Sequence, residues 1–171
     1  PVVELGLAVA VEAGGLPGVS PGIAGGGAVL LGPWRIGADL VGFPSAEAAL
    51  GDETEGGRFS QLFGVVSLGR ALAPWRGAGA SHELSAAVGL EAGATFASGF
   101  GVDDTRSETV GWVTPRLGVE GRLGLGGGLG LHGEATMAVP LTRRPFVLDG
   151  RELHTPSPVA MRLAAGLDVR F

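Results

Sequence analysis

Val3-Glu4-Leu5-Gly6-Leu7-Ala8-Val9-Ala10-Val11-Glu12 sets Val or Leu at every second position, with Glu, Gly or Ala between. A strand sorts such a series onto two faces because its side chains alternate with a period of two, whereas a helix scatters them around its circumference. One face is wholly apolar; the other is polar or small. The division recurs seven more times, over Ile23 to Leu31, Trp34 to Phe43, Ser60 to Gly69, Glu83 to Phe96, Trp112 to Leu123, Leu129 to Leu141 and Val159 to Phe171. The pattern predicts eight strands.

The connections alternate in length. Longer segments, Gly14 to Gly22, Pro44 to Arg58, Ala97 to Val110 and Thr142 to Pro158, fall at one end. Gly32-Pro33, Arg70 to His82 and Gly124 to Gly128 fall at the other, together with both termini. An even-stranded, antiparallel up-and-down barrel produces this alternation.

Charge placement selects the kind of barrel. The strand phases put Glu4, Glu12, Arg35, Asp39, Glu83, Glu91, Arg116, Glu120, Arg122, Glu134, Arg162, Asp168 and Arg170 on one face and leave the other uncharged. A soluble barrel would turn its apolar face inward and show its charges to water. Here the charged face alternates with small residues while the other carries Leu and Val on nearly every strand, so the smaller, polar face fits the inside. An apolar exterior of that extent is stable in lipid and aggregates in water. Inward Leu/Val faces would instead indicate a soluble ligand-binding barrel. We therefore expect residues 1–171 to form one all-β domain, an eight-stranded antiparallel transmembrane β-barrel in a bacterial outer membrane.

Composition supports this reading by exclusion. Of 171 residues 33 are Gly, 45% are hydrophobic and 17% are charged, with a net charge of -5. A mean hydropathy of +0.35 excludes a disordered chain, and the glycines keep no collagen period. Without Cys there is no disulfide, thiolate metal site or cysteine nucleophile. All basic residues are Arg, and a pI near 5.1 argues against a nucleic-acid surface. The longest uncharged stretch, Ala13 to Trp34, contains eight Gly and three Pro, so it is no membrane helix. The sequence starts at Pro1 with neither Met nor a leader, and a signal peptide or upstream domain is expected to have preceded it.

Aromatic residues give a second view of the barrel. Trp34, Phe43, Phe59, Phe96, Trp112 and Phe171 lie at strand ends, where membrane-interface girdles form. Phe63 lies inside the fourth strand, opposite Leu62 and Gly64, and leaves that strand's phase open. The last residues, Leu163, Ala165, Leu167, Val169 and Phe171 alternating with Ala164, Gly166, Asp168 and Arg170, resemble the C-terminal signature of bacterial outer-membrane barrels. In that family a terminal aromatic after alternating apolar residues is read by the barrel-assembly machinery; the resemblance assigns that part to Leu167, Val169 and Phe171. Val169 stands where the family often has an aromatic. The whole chain resembles a small OmpA/OmpX-type barrel.

The inward charges set the functional expectation. Charges withdrawn from bulk water must pair, and Arg forks hold carboxylates well, so a salt-bridge network across a side-chain-filled lumen is expected. Eight strands leave an interior just wide enough for side chains, although inward Ala24, Gly26, Gly37, Gly89 and Gly93 leave room for a cavity and hence for a small channel or transporter. A lipid-modifying enzyme would need a nucleophile, base and acid in reach of one another. Of His82, His132 and His154, only His154 lies at the outer end, near Thr155 and Ser157, and no deacylase-like spacing surrounds it. Asp52, Glu53 and Glu55, and Asp103, Asp104 and Glu108, form acidic loops without calcium-site spacing. Arg143, Arg144 and Arg151 are placed to meet outer-leaflet phosphates. The expectation is a monomeric structural, anchoring or surface-interaction barrel, with no catalytic residue, metal or cofactor. Its partners would be outer-membrane lipid, lipopolysaccharide and the assembly machinery.

Overall fold

The period-two segments fold as strands in the computed structural model, which describes residues 1–50, 55–77, 80–101, 107–148 and 150–171. In chain order they are β1 (Val2–Ala13), β2 (Val19–Leu31), β3 (Trp34–Leu50), β4 (Glu55–Gly77), β5 (Ala80–Phe100), β6 (Ser107–Gly126), β7 (Leu129–Ala138), β8 (Phe146–Leu148), β9 (Arg151–His154) and β10 (Ala160–Arg170). Eight of them close an antiparallel barrel in the order β1-β10-β7-β6-β5-β4-β3-β2. Closure satisfies the backbone at both edges, as a lipid environment requires. Its seam runs from Glu4 opposite Arg170 to Ala13 opposite Met161. Val3 and Phe171 extend it by exchanging two backbone hydrogen bonds.

Side-chain direction follows the alternation. Leu5, Leu7, Val9 and Val11 are exposed, whereas Glu4 and Glu12 are buried. The same holds for outward Leu84, Val88 and Leu90 against inward Ser85 and Glu91 on β5. The Leu/Val face is therefore the exterior. Among the described residues no helix is long and apolar enough to cross a membrane.

Strand four takes the phase that puts Phe63 inside. Phe59, Gln61, Phe63, Val65 and Ser67 are buried, while Leu62, Val66 and Leu68 face out. Phe43, Phe59 and Trp112 also depart from the expected girdle. Phe43 and Phe59 are 0% and 1% exposed, and Trp112 packs on Phe63 with its indole N–H on Thr95. Each shares the parity of inward neighbours, Phe43 with Arg35 and Asp39, Trp112 with Arg116, and parity overrides a position near the strand end. Trp34, Phe96 and Phe171 do face outward.

Two further differences lie beyond the apolar belt. Strands β3 to β6 run through much of the expected loops, so β3 and β4 pair as far as Leu50 and Glu55 and β4 and β5 as far as Gly77 and Ala80. The expected turn Arg70 to His82 is thus largely a hairpin, with a register shift between Ala71 and Ala73. Strand seven stops at Ala138 before Pro140, and the last outer connection contains the small β8–β9 hairpin.

Candidate functional site

The lumen is built in two layers. Toward the short-turn end, Arg170 bridges Glu4 and Glu83 at 2.7 and 2.8 Å, and Arg35 bridges Glu4 and Glu120 at 2.8 and 3.3 Å. Arg122 pairs with Asp168, approaches Glu4 at 3.8 Å and donates to the Gly128 carbonyl. Farther along the axis, Arg162 joins Glu12 to Glu91, while Arg116 pairs with Glu134 and lies 3.9 Å from Glu91. The structure thus brings together twelve of the thirteen expected lumen charges in ion pairs. Asp39 makes none among the described residues, although it interacts electrostatically with Arg35, Arg116 and His132.

Above this network the lumen turns apolar, which the charge pattern alone did not reveal. Ala10, Leu16, Val41, Phe43, Phe59, Phe63, Val65 and Phe146 form one buried cluster. Phe63 stacks with Phe43 at 6.2 Å and meets Trp112 at 5.1 Å, and the Arg162 guanidinium lies 4.6 Å from the Phe63 ring. That contact joins the two layers. The signal for the apolar layer was the parity of Phe43, Phe59 and Phe63 with inward residues.

The last outer connection packs onto this apolar cluster. Phe146 at the start of β8 meets Phe59 edge-on at 5.1 Å, and His154 meets the same ring at 5.8 Å. His154 Nε2 is 3.1 Å from the Gly15 carbonyl oxygen, and the Ser157 amide donates to the Gly14 carbonyl. The β8–β9 hairpin and the β1–β2 connection are thereby tied together.

The inward glycines do not open a cavity. A Cβ on Gly93 would strike Phe63, one on Gly26 would strike Asp39, and one on Gly89 would strike the Val66 carbonyl. Their missing side chains make room for neighbouring strands and bulky inward residues. A pocket of about 40 Å³ remains beside Gln61, Thr95 and Arg162, space for a few waters.

The contacts of His154 and His132 are with backbone, an aromatic ring and a carboxylate. His154 reaches Gly15 rather than Ser157 or Thr155, and the Thr155 hydroxyl donates to Glu152. His132 Nδ1 stands 3.7 Å from Asp168 Oδ2 deep in the lumen. His82 lies at the short-turn end of β5, paired across the sheet with Leu123. Among the described residues no group of His, Asp or Glu is arranged to hold a metal ion. Asp52, Glu53, Asp103 and Asp104 lie outside the described residues. Glu55 and Glu108 lie in β4 and β6, and Arg143, Arg144 and Arg151 are exposed at the outer end.

Comparison of the closed barrel with solved structures decides its architecture. A major outer membrane protein from Thermus thermophilus superposes with a TM-score of 0.71 at 13% identity, over 100% of both chains. The fold is that of a small outer-membrane barrel. The attachment invasion locus protein Ail of Yersinia pestis gives 0.55 at 11% identity, covering 99% of this chain and 97% of its own. Neisserial surface protein A gives 0.54 at 13%, covering 99% and 96%. No family model matches the sequence, and no curated protein does.

Proposed function

We propose that the chain is a monomeric integral protein of a bacterial outer membrane, with a structural, anchoring or surface-interaction role and a lumen filled by side chains. One observation carries this reading: the Leu/Val face is exposed around the wall while Leu16, Phe43, Phe59 and Phe63 are buried to within 2% inside it. A conducting barrel would leave lumen side chains wet. Water is the medium an exterior with Leu7 74% and Val9 68% exposed would avoid, and lipid is the one it fits. Lipopolysaccharide is the proposed neighbour at the outer rim, where Arg143, Arg144 and Arg151 are exposed. The barrel-assembly machinery is the proposed partner of Leu167, Val169 and Phe171, all of which face outward along the seam. The names of two fold relatives, a surface protein and an attachment protein, are in keeping with a place at the cell surface.

The test is conductance. In planar bilayers, wild type and a variant with β8–β9 replaced by a short Gly-Ser link are both expected to insert and pass no measurable current, because Phe43 and Phe63 remain below the hairpin. Steady unitary currents from the wild type would replace this reading with a channel.

A further inference from the structure

Five arginines of this chain are spent on lumen carboxylates and Arg58 pairs with Glu47, but Arg70 faces outward with no carboxylate partner among the described residues. Its guanidinium carbon instead lies 5.5 Å from the centroid of the exposed Trp34 ring. The β3–β4 register sets Arg70 opposite Trp34, and the Ala71 amide donates to the Pro33 carbonyl at 2.8 Å, which fixes the pair at the short-turn rim. A bare cation and an indole at that level are what a headgroup boundary accommodates.

The wall beside this pair is hollowed. From Arg70 the cross-strand row runs through Ala86, Val119 and Ala135, while the adjacent row runs through Leu68, Val88, Leu117 and Met137. The small side chains of Ala86 and Ala135 lie beside that ridge in an apolar groove of about 840 Å³ that starts at Trp34 and Arg70 and follows these rows on across β10 and β1 to Met161 and Val19, toward the long-loop end. The groove offers hydrocarbon contact along its length and one positive charge at its end.

We propose that this groove binds an anionic phospholipid of the inner leaflet, its phosphate on Arg70 and an acyl chain along Ala86 and Ala135. Arg forks hold phosphate oxygens in bidentate fashion, and the cation–π contact with Trp34 keeps the guanidinium at the rim to receive them. The assignment rests on the membrane reading above, and short turns mark the inner-leaflet side.

The test folds wild type, Arg70→Ala, Ala135→Phe and Arg144→Ala into vesicles of equal parts phosphatidylcholine and phosphatidylglycerol. Insertion is read by heat-dependent gel mobility, and retained lipid by native mass spectrometry after extraction. Wild type is expected to keep phosphatidylglycerol in preference to phosphatidylcholine. Arg70→Ala should lower that retention about five-fold, the effect of one arginine near a membrane surface. Ala135→Phe should lower retention of both lipids by filling the groove, and Arg144→Ala, at the outer rim, should change nothing. Equal retention by inserted wild type and inserted Arg70→Ala would overturn the lipid site and leave the barrel intact. Loss on Arg144→Ala alone would assign the phosphate to the outer loops and overturn it likewise. Failure of the wild type to insert would overturn the membrane reading itself.

Discussion

Arg162 is the residue on which both layers of the lumen depend. It pairs with one oxygen each of Glu12 and Glu91, both no more than 1% exposed, and its guanidinium lies over Phe63. Removing one partner of a buried pair leaves an uncompensated charge, so Arg162→Met should cost about 3–5 kcal/mol in urea unfolding from a bilayer. Arg58→Ala, which breaks a pair exposed by more than half on both sides, should change the same measurement by at most about 1 kcal/mol. Equal effects would mean that the lumen ion pairs contribute no more than surface ones. Parity made the inward position of Arg162 legible in the sequence. Its pairing with Glu12 follows once β1 and β10 close the barrel, because the two face each other across that seam, whereas Glu91 on the non-adjacent β5 was not legible, since the closed barrel sets that approach and no local pattern records it.

At the level of the element, β10 shows what alternation can and cannot convey. Its period-two pattern gave both its strand character and the outward direction of Leu163, Leu167 and Val169, and the structure adds the seam with β1. Phe171 sits on that seam, exposed and backbone-paired with Val3. Because its ring packs outside the barrel, Phe171→Ala should leave the purified chain folding into vesicles as wild type does, yet lower the amount of folded barrel assembled in cells several-fold. An equal loss in both settings would make Phe171 a packing residue and not an assembly signal. The ends of β3 to β6 were less legible, since Ala46, Ala48, Gly56 and Gly57 leave little apolar contrast to read. The β8–β9 hairpin is not legible in the sequence because strands of three and four residues are too short to show a period.

For the whole molecule, the two-faced pattern settles the architecture and much less of the function. Charges scarce in the composition gather in the lumen with eight carboxylates against five guanidinium groups, and a buried apolar cluster lies beyond them. The cluster was hidden because Phe43 and Phe59 lie near the expected strand ends, where a girdle is equally consistent with the sequence, and Phe63 left the phase of its strand open. Every functional inference rests on one claim, that the Leu/Val face meets lipid. The chain has no Cys, so single cysteines placed through β5 can each carry one fluorophore without background. In vesicles containing a lipid-borne quencher, labels at Leu84, Ala86, Val88 and Leu90 should be strongly quenched and those at Ser85, Ala87, Gly89 and Glu91 weakly, a period of two along the strand. Quenching without alternation, or with the two sets reversed, would contradict the membrane barrel.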